Sequence, residues 1–237
     1  MFNPVRIAPS ILSADFMHLA RDIAAIEEAG AGFVHVDVMD GHFVPNLTMG
    51  VPIVKQLKRT TALPLDVHLM IDNPICELPW FLDAGADMVT VHVEALADPD
   101  DAERVIDMVR DAGARLAFSV KPKTPLAKLA DYIARLDMVL VMSVEPGFSG
   151  QSYIEKSEER VAMVADLART QQANCLIEVD GGIGVATAPL VAAAGADVLV
   201  CGNAVFGADD PAQALRDVQA AAEQARLAAL AAQEARG

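Results

Sequence analysis

Four copies of Ala-Gly-Ala, each running into an apolar stretch, constrain this chain more than any other feature: AGAGFVHVD from 29, AGADMVTVHVE from 84, AGARLAFSV from 112 and AGADVLVCG from 194. Their glycines stand at 30, 85, 113 and 195, gaps of 55, 28 and 82 residues, which are near two, one and three multiples of a unit of about 27 or 28. Each phrase joins a helix end to a strand. A glycine just past a helix can take the left-handed conformation that closes it, and the Val-rich run that follows suits a strand buried on both faces. Dividing 237 residues by the unit gives about eight repeats.

Strand-like runs near 5–9, 33–38, 64–69, 87–93, 115–120, 138–143, 175–180 and 197–201, with helical patterns between most of them, agree with that count. Alternating strands and helices in short units make a parallel sheet with right-handed crossovers. Eight units fit a closed (β/α)8 barrel better than an open doubly wound sheet, because closure leaves the first and last strands no edge. A single domain accommodates the length. The segment from about 210 to 237, Ala-rich after an Asp-Asp-Pro start, is expected to be an extended C-terminal helix that overruns the barrel, either solvated or facing a partner.

Composition excludes several function classes. A net charge of −15 repels phosphodiester backbones and anionic membrane surfaces, so neither nucleic acid nor membrane is an expected partner. No signal-peptide pattern opens the chain and no apolar run is long enough to span a bilayer, so a cytoplasmic location is expected. Cys76, Cys175 and Cys201 make an odd count without CxxC spacing and read as small buried hydrophobes.

In a parallel barrel the carboxyl ends of the strands converge on one mouth, where polar side chains become catalytic candidates. His35 and Asp37 are two apart on the second strand and share a face; His68 stands near the end of the third, and Asp180 ends the seventh before a double glycine. This His/His/Asp/Asp set suits one divalent transition metal, Zn, Fe, Mn or Co, with a position left open for substrate. His92 reads as a supporting or structural group, whereas His18 and His42 have no evident partners. Gly181-Gly182-Ile183-Gly184 and Gly202-Asn203 follow the seventh and eighth strands, where these barrels commonly hold phosphate on backbone N–H groups, and EPGFSGQ at 145–151 adds a third flexible loop. Met39, Met70 and Met142 fall at strand ends, where soft sulfurs can line a dry pocket.

HVDVMDGHFVPNLTMG (35–50), LDVHLMIDNP (65–74), MSVEPGFSGQ (142–151) and EVDGGI (178–183) resemble the ribulose-phosphate 3-epimerase family, and the likeness runs from about residue 5 to about 207. The resemblance implies a TIM barrel that interconverts D-ribulose 5-phosphate and D-xylulose 5-phosphate. It implies that His35, Asp37, His68 and Asp180 ligate the metal, with Asp37 and Asp180 also the acid/base pair. Ser10, His68, Met39, Met70 and Met142 would contact substrate, and Gly147, Gly150, Gly181, Gly182, Gly202 and Asn203 would surround the phosphate arm. A homo-oligomer is also expected.

Inverting C3 of a 2-ketose phosphate removes a proton beside the C2 carbonyl and returns one to the other face of a planar enediolate, a task for two groups on two strands. Three positions depart from the family pattern: Lys121 stands where Asn is usual, Ser149 where Gly is common and Asn203 where Ser is common. They leave open a 3-epimerase of another ketose phosphate, such as allulose 6-phosphate, and a phosphate-binding barrel lyase using Lys121 as a Schiff-base amine.

Overall fold

The computed structural model describes residues 4–235. Its eight strands are β1 (Arg6–Pro9), β2 (Val34–Met39), β3 (Leu65–Met70), β4 (Met88–His92), β5 (Arg115–Val120), β6 (Met138–Met142), β7 (Leu176–Asp180) and β8 (Val198–Cys201). All neighbouring pairs are parallel, in the order β1-β8-β7-β6-β5-β4-β3-β2, and one parallel bridge between Ser10 and His35 brings the two ends together. The ring is the expected (β/α)8 barrel; an open doubly wound sheet would keep the first and last strands apart.

The helices are α1 (Leu19–Glu28), α2 (Val51–Thr60), α3 (Pro74–Ala84), α4 (Pro99–Asp111), α5 (Ser157–Thr170), α6 (Ala188–Ala194), α7 (Asn203–Phe206) and α8 (Pro211–Glu234). Between β5 and β6 the crossover uses two 3-10 turns, Leu126–Leu129 and Ile133–Arg135, in place of an α-helix. Gly85 and Gly195 close α3 and α6 in the left-handed conformation, at φ 99° and 116°, as the repeat requires. Asp98 starts α4 with a capping box to Asp101.

Strand periodicity divides the interior into two layers. On β2, Val34, Val36 and Val38 face outward into the main core beneath the helices, so His35, Asp37 and Met39 point into the barrel. The interior below the mouth is filled by Ala8, Met88, Ala117, Met138 and Val198, which pack with Phe33, and with Val200 at the cavity wall, as a separate apolar cluster. That plug leaves polar side chains to the upper layers.

Asp210 caps α8, accepting the Gln213 N–H at 2.9 Å, and Leu215, Val218 and Ala222 are buried along its first half. Arg226 then fastens the helix to the barrel wall, 2.7 Å from Asp197. Beyond it Leu227 is 55% exposed, so the last described turns carry apolar side chains on the surface. The final two positions of the expected helix, 236 and 237, lie outside the described residues. The cysteine expectation needs correction. Cys201 is buried, but Cys175 is half-buried and Cys76 exposed, because α3 buries Pro74, Leu78 and Phe81 and Cys76 falls on the opposite side of that helix.

Candidate active site

Register places the polar groups. Pairing of β2 with β3 sets Asp37 beside His68 and His35 beside Asp66, and pairing of β6 with β7 sets Met142 beside Asp180. His35, Asp37, His68 and Asp180 each direct one ligand atom into a space where all lie within 4.8 Å of one another. His68 Nδ1 is 3.2 Å from Asp37 Oδ1 and 3.8 Å from Asp180 Oδ2, while His35 Nε2 is 3.4 Å from Asp37 Oδ1. Ser10, brought across by the bridge that closes the barrel, donates its hydroxyl to Asp37 Oδ2 at 2.5 Å.

Three carboxyl groups that sequence reasoning missed support this layer, Asp66 and Glu178 fully buried and Glu94 half-buried. Asp66 Oδ2 accepts from His35 Nδ1 at 2.6 Å, and Glu178 Oε1 lies 3.8 Å from the same nitrogen. Glu94, in the 3-10 turn Val93–Ala95 that follows β4, holds His92 Nδ1 at 3.1 Å. Thr48 was missed too; it donates to the Asp37 carbonyl and accepts the Met39 N–H, securing the end of β2. The signal for Asp66 and Glu178 was present, since each stands two residues before a named site residue and so shares its inward face.

The charges are unevenly distributed. Burial opposes ionisation of Asp37, but His35 and His68 hold its carboxyl well below the usual range. Burial, and then the negative charge of Asp37, push Asp180 up to about 6. Burial opposes charge on His35, yet Asp66 and Asp37 raise it well above the ordinary imidazole value. Burial first, then Asp66, push Glu178 far up. Two carboxyl groups at one spot are thereby driven in opposite directions, the condition for an acid and a base to coexist.

A cavity of about 350 Å³ opens above the cluster at the mouth of the barrel. Its floor includes Ser10, Asp37, Asp180, Met39, Met70 and Met142, and its rim includes Gly147, Gly150, Gly181, Gly182, Gly202 and Asn203. Gly182 has φ +63°, and a Cβ there would sit 2.3 Å from the Tyr153 backbone nitrogen, so this position admits no side chain. His68 is the exception among the expected substrate contacts: it is fully buried and off the cavity wall, boxed between the rings of His35 and His92 at 5.5 and 5.0 Å.

The departures fall in different places. Ser149 and Asn203 line the rim, and the Ser149 hydroxyl is 2.5 Å from that of Ser13. Lys121 lies off the cavity wall, its ammonium 3.7 Å from the centre of the Phe43 ring. His18 pairs with Asp15 at 2.7 Å and His42 with the Asp40 carbonyl at 3.0 Å, and neither lines the cavity.

The buried donor set fits a divalent cation. His35 Nε2 is buried with no hydrogen-bond partner, and His35 Nδ1 is engaged by Asp66, so the free nitrogen points into the cluster. Mixed nitrogen and oxygen donors suit Zn, Fe, Mn or Co.

A parallel eight-stranded barrel whose strand ends carry these carboxylates and histidines beneath one cavity defines a TIM-barrel enzyme with its site at the carboxyl mouth. The sequence matches the Ribulose-phosphate 3 epimerase family over residues 6–206. It is 49% identical to the ribulose-phosphate 3-epimerase of Mycobacterium tuberculosis over 221 residues, 93% of this chain and 94% of that one. The enzyme of the same name from Bacillus subtilis is 43% identical over 91% of this chain and 98% of its own. Among solved structures, 3-hexulose-6-phosphate synthase from Salmonella typhimurium superposes with a TM-score of 0.66 at 19% identity, covering 93% of this chain and all of that one; this is a likeness of fold. The chain belongs to the ribulose-phosphate 3-epimerase family and is an epimerase of the isomerase class.

Proposed function

We propose that the site interconverts D-ribulose 5-phosphate and D-xylulose 5-phosphate by two-base proton transfer at C3, with Asp37 and Asp180 as the acid/base pair. The observation that carries this reading is the arrival of two carboxyl groups at the floor of one cavity from β2 and β7, one held ionised and one raised to about 6. One carboxylate removes the C3 proton; the other, protonated, returns a proton to the opposite face of the enediolate. Ser10 holds Asp37 in place through its hydroxyl. Met39, Met70 and Met142 exclude water around the reacting carbons, and the glycine rim offers backbone N–H groups to the phosphate.

His35, Asp37, His68 and Asp180 would hold one divalent cation. When bound, it supplies Lewis-acid stabilisation of the enediolate oxygens.

Asp37→Asn and Asp180→Asn are each expected to lower kcat by about 100- to 10,000-fold, read in a coupled assay of xylulose 5-phosphate formation. In D₂O, product sampled before reversal should carry deuterium at C3 while remaining substrate carries little. Extensive carry-over of the original hydrogen would refute the two-carboxylate mechanism. A clearly higher kcat/KM on allulose 6-phosphate would move the substrate assignment.

A further inference from the structure

His68 has two buried nitrogens with different neighbours. Nδ1 is within hydrogen-bond distance of Asp37 Oδ1, at 3.2 Å, and 3.8 Å from Asp180 Oδ2, and Nε2 lies 2.9 Å from Nε2 of His92. The two imidazoles are stacked at 26° and both are fully buried. On its far side His92 Nδ1 meets Glu94 Oε2 at 3.1 Å. The other oxygen of Glu94 accepts the Lys121 N–H at 2.8 Å and the Thr124 hydroxyl, so the carboxylate is fixed from the β5 loop.

With a cation taking the place of the proton that Nδ1 would otherwise donate to Asp37, matching donors to acceptors along the rest of this row determines where the remaining protons sit. Two imidazole nitrogens 2.9 Å apart need one proton between them; two lone pairs or two N–H groups would repel. An ionised Glu94 is only an acceptor, so His92 carries its proton on Nδ1 and presents a lone pair at Nε2. The shared proton then belongs to His68 Nε2. The competing arrangement puts both protons on His92, which places an imidazolium in a site without solvent and leaves the Nδ1 proton on His68.

We infer that His92 and Glu94 are positioning residues that keep the His68 proton on Nε2 and so reserve Nδ1 for a cation, an inference that rests on the metal reading above. Asp66 does the same for His35 in the opposite sense, engaging Nδ1 and freeing Nε2. The two histidines thus offer different ring nitrogens because different carboxylates, on different strands, anchor them.

The test uses the full chain, ¹⁵N-labelled and titrated with Zn²⁺. Long-range ¹H–¹⁵N correlation spectra read the His68 tautomer, competition with a chromophoric chelator reads zinc affinity, and thermal denaturation reads stability. Wild type should bind one zinc per chain with His68 protonated at Nε2. His92→Ala should raise the zinc Kd by about 10- to 100-fold, and His92→Gln, whose amide oxygen can accept the Nε2 proton, should restore most of it. Glu94→Gln, which keeps the packing but no longer forces the proton onto His92 Nδ1, should also weaken zinc binding and serves if His92→Ala does not fold. Equal zinc affinity in wild type and folded variants, or His68 protonated at Nδ1 in the zinc-bound wild type, would overturn this inference and leave the metal reading standing. A wild-type chain that takes up no zinc would remove both.

Discussion

Gly182 shows how far one residue controls the rim of the cavity. Its backbone is left-handed and its α-carbon packs against the Tyr153 backbone, so a methyl group there is opposed both by conformation and by contact with atoms that cannot rotate away. Gly182→Ala must therefore move the β7 loop off the β6 loop. Because that rim is assigned to the phosphate arm and not to the reacting carbons, the expected effect is a rise in KM of about tenfold or more, roughly 1.4 kcal/mol, with a smaller change in kcat. Steady-state kinetics on ribulose 5-phosphate separates the two; a fall in kcat at constant KM would show that the loop serves the chemistry instead. Lys121 has the reverse character. Its backbone N–H holds Glu94 whatever the side chain, and its ammonium rests on Phe43, so the departure from Asn there does not bring an amine to the cavity wall.

Among the elements, α8 divides into a part that packs and a part that does not. Its first half covers β1 and α6, burying Leu215, Val218 and Ala222, whereas the turns after Arg226 carry exposed leucines. Leu215→Ala should cost about 2–5 kcal/mol through lost burial and the cavity left behind. Ending the chain after Arg226 should cost less than about 1 kcal/mol, since only surface-exposed turns are removed. Chemical denaturation of both variants checks the contrast; a truncation as damaging as Leu215→Ala would mean that the last turns are covered in solution, as a partner-facing helix would be. The β5–β6 crossover shows the limit of a repeat-based reading. Its two 3-10 turns cross in a unit shorter than the repeat and without an α-helix, and Leu129, Ile133 and Leu136 supply the buried contacts that a helix face would give.

Across the whole molecule, the net charge of −15 stands against a closed fold whose interior also concentrates acid: Asp37, Asp66 and Glu178 are all buried. Surface self-repulsion is screened by salt, while the buried groups are hardly affected. Raising NaCl from about 20 to about 300 mM should therefore raise Tm by roughly 2–4 °C, the equivalent of about 1 kcal/mol in a chain of this length; scanning calorimetry at constant pH reads it, and a falling Tm would show that exposed ion pairs outweigh the repulsion. No helix among the described residues is long and apolar enough to cross a membrane.

The eight strands, their parallel sense and the inward face of β2, β3 and β7 were legible in the sequence, because each follows from local rules: glycine at helix ends, valine runs between them, and side chains alternating along a strand. His35, Asp37, His68 and Asp180 stood out for the same reason, as polar residues at strand ends where a purely structural strand would carry valine. What sits beside them did not. Asp66 reaches His35 only because β2 pairs with β3 in one register out of several. Ser10 reaches Asp37 only because the ring closes, and Glu94 reaches His68 only through the ring of His92. Sequence determines which face a side chain takes, but register and closure decide which partner it meets, since those depend on packing eight strands around one interior.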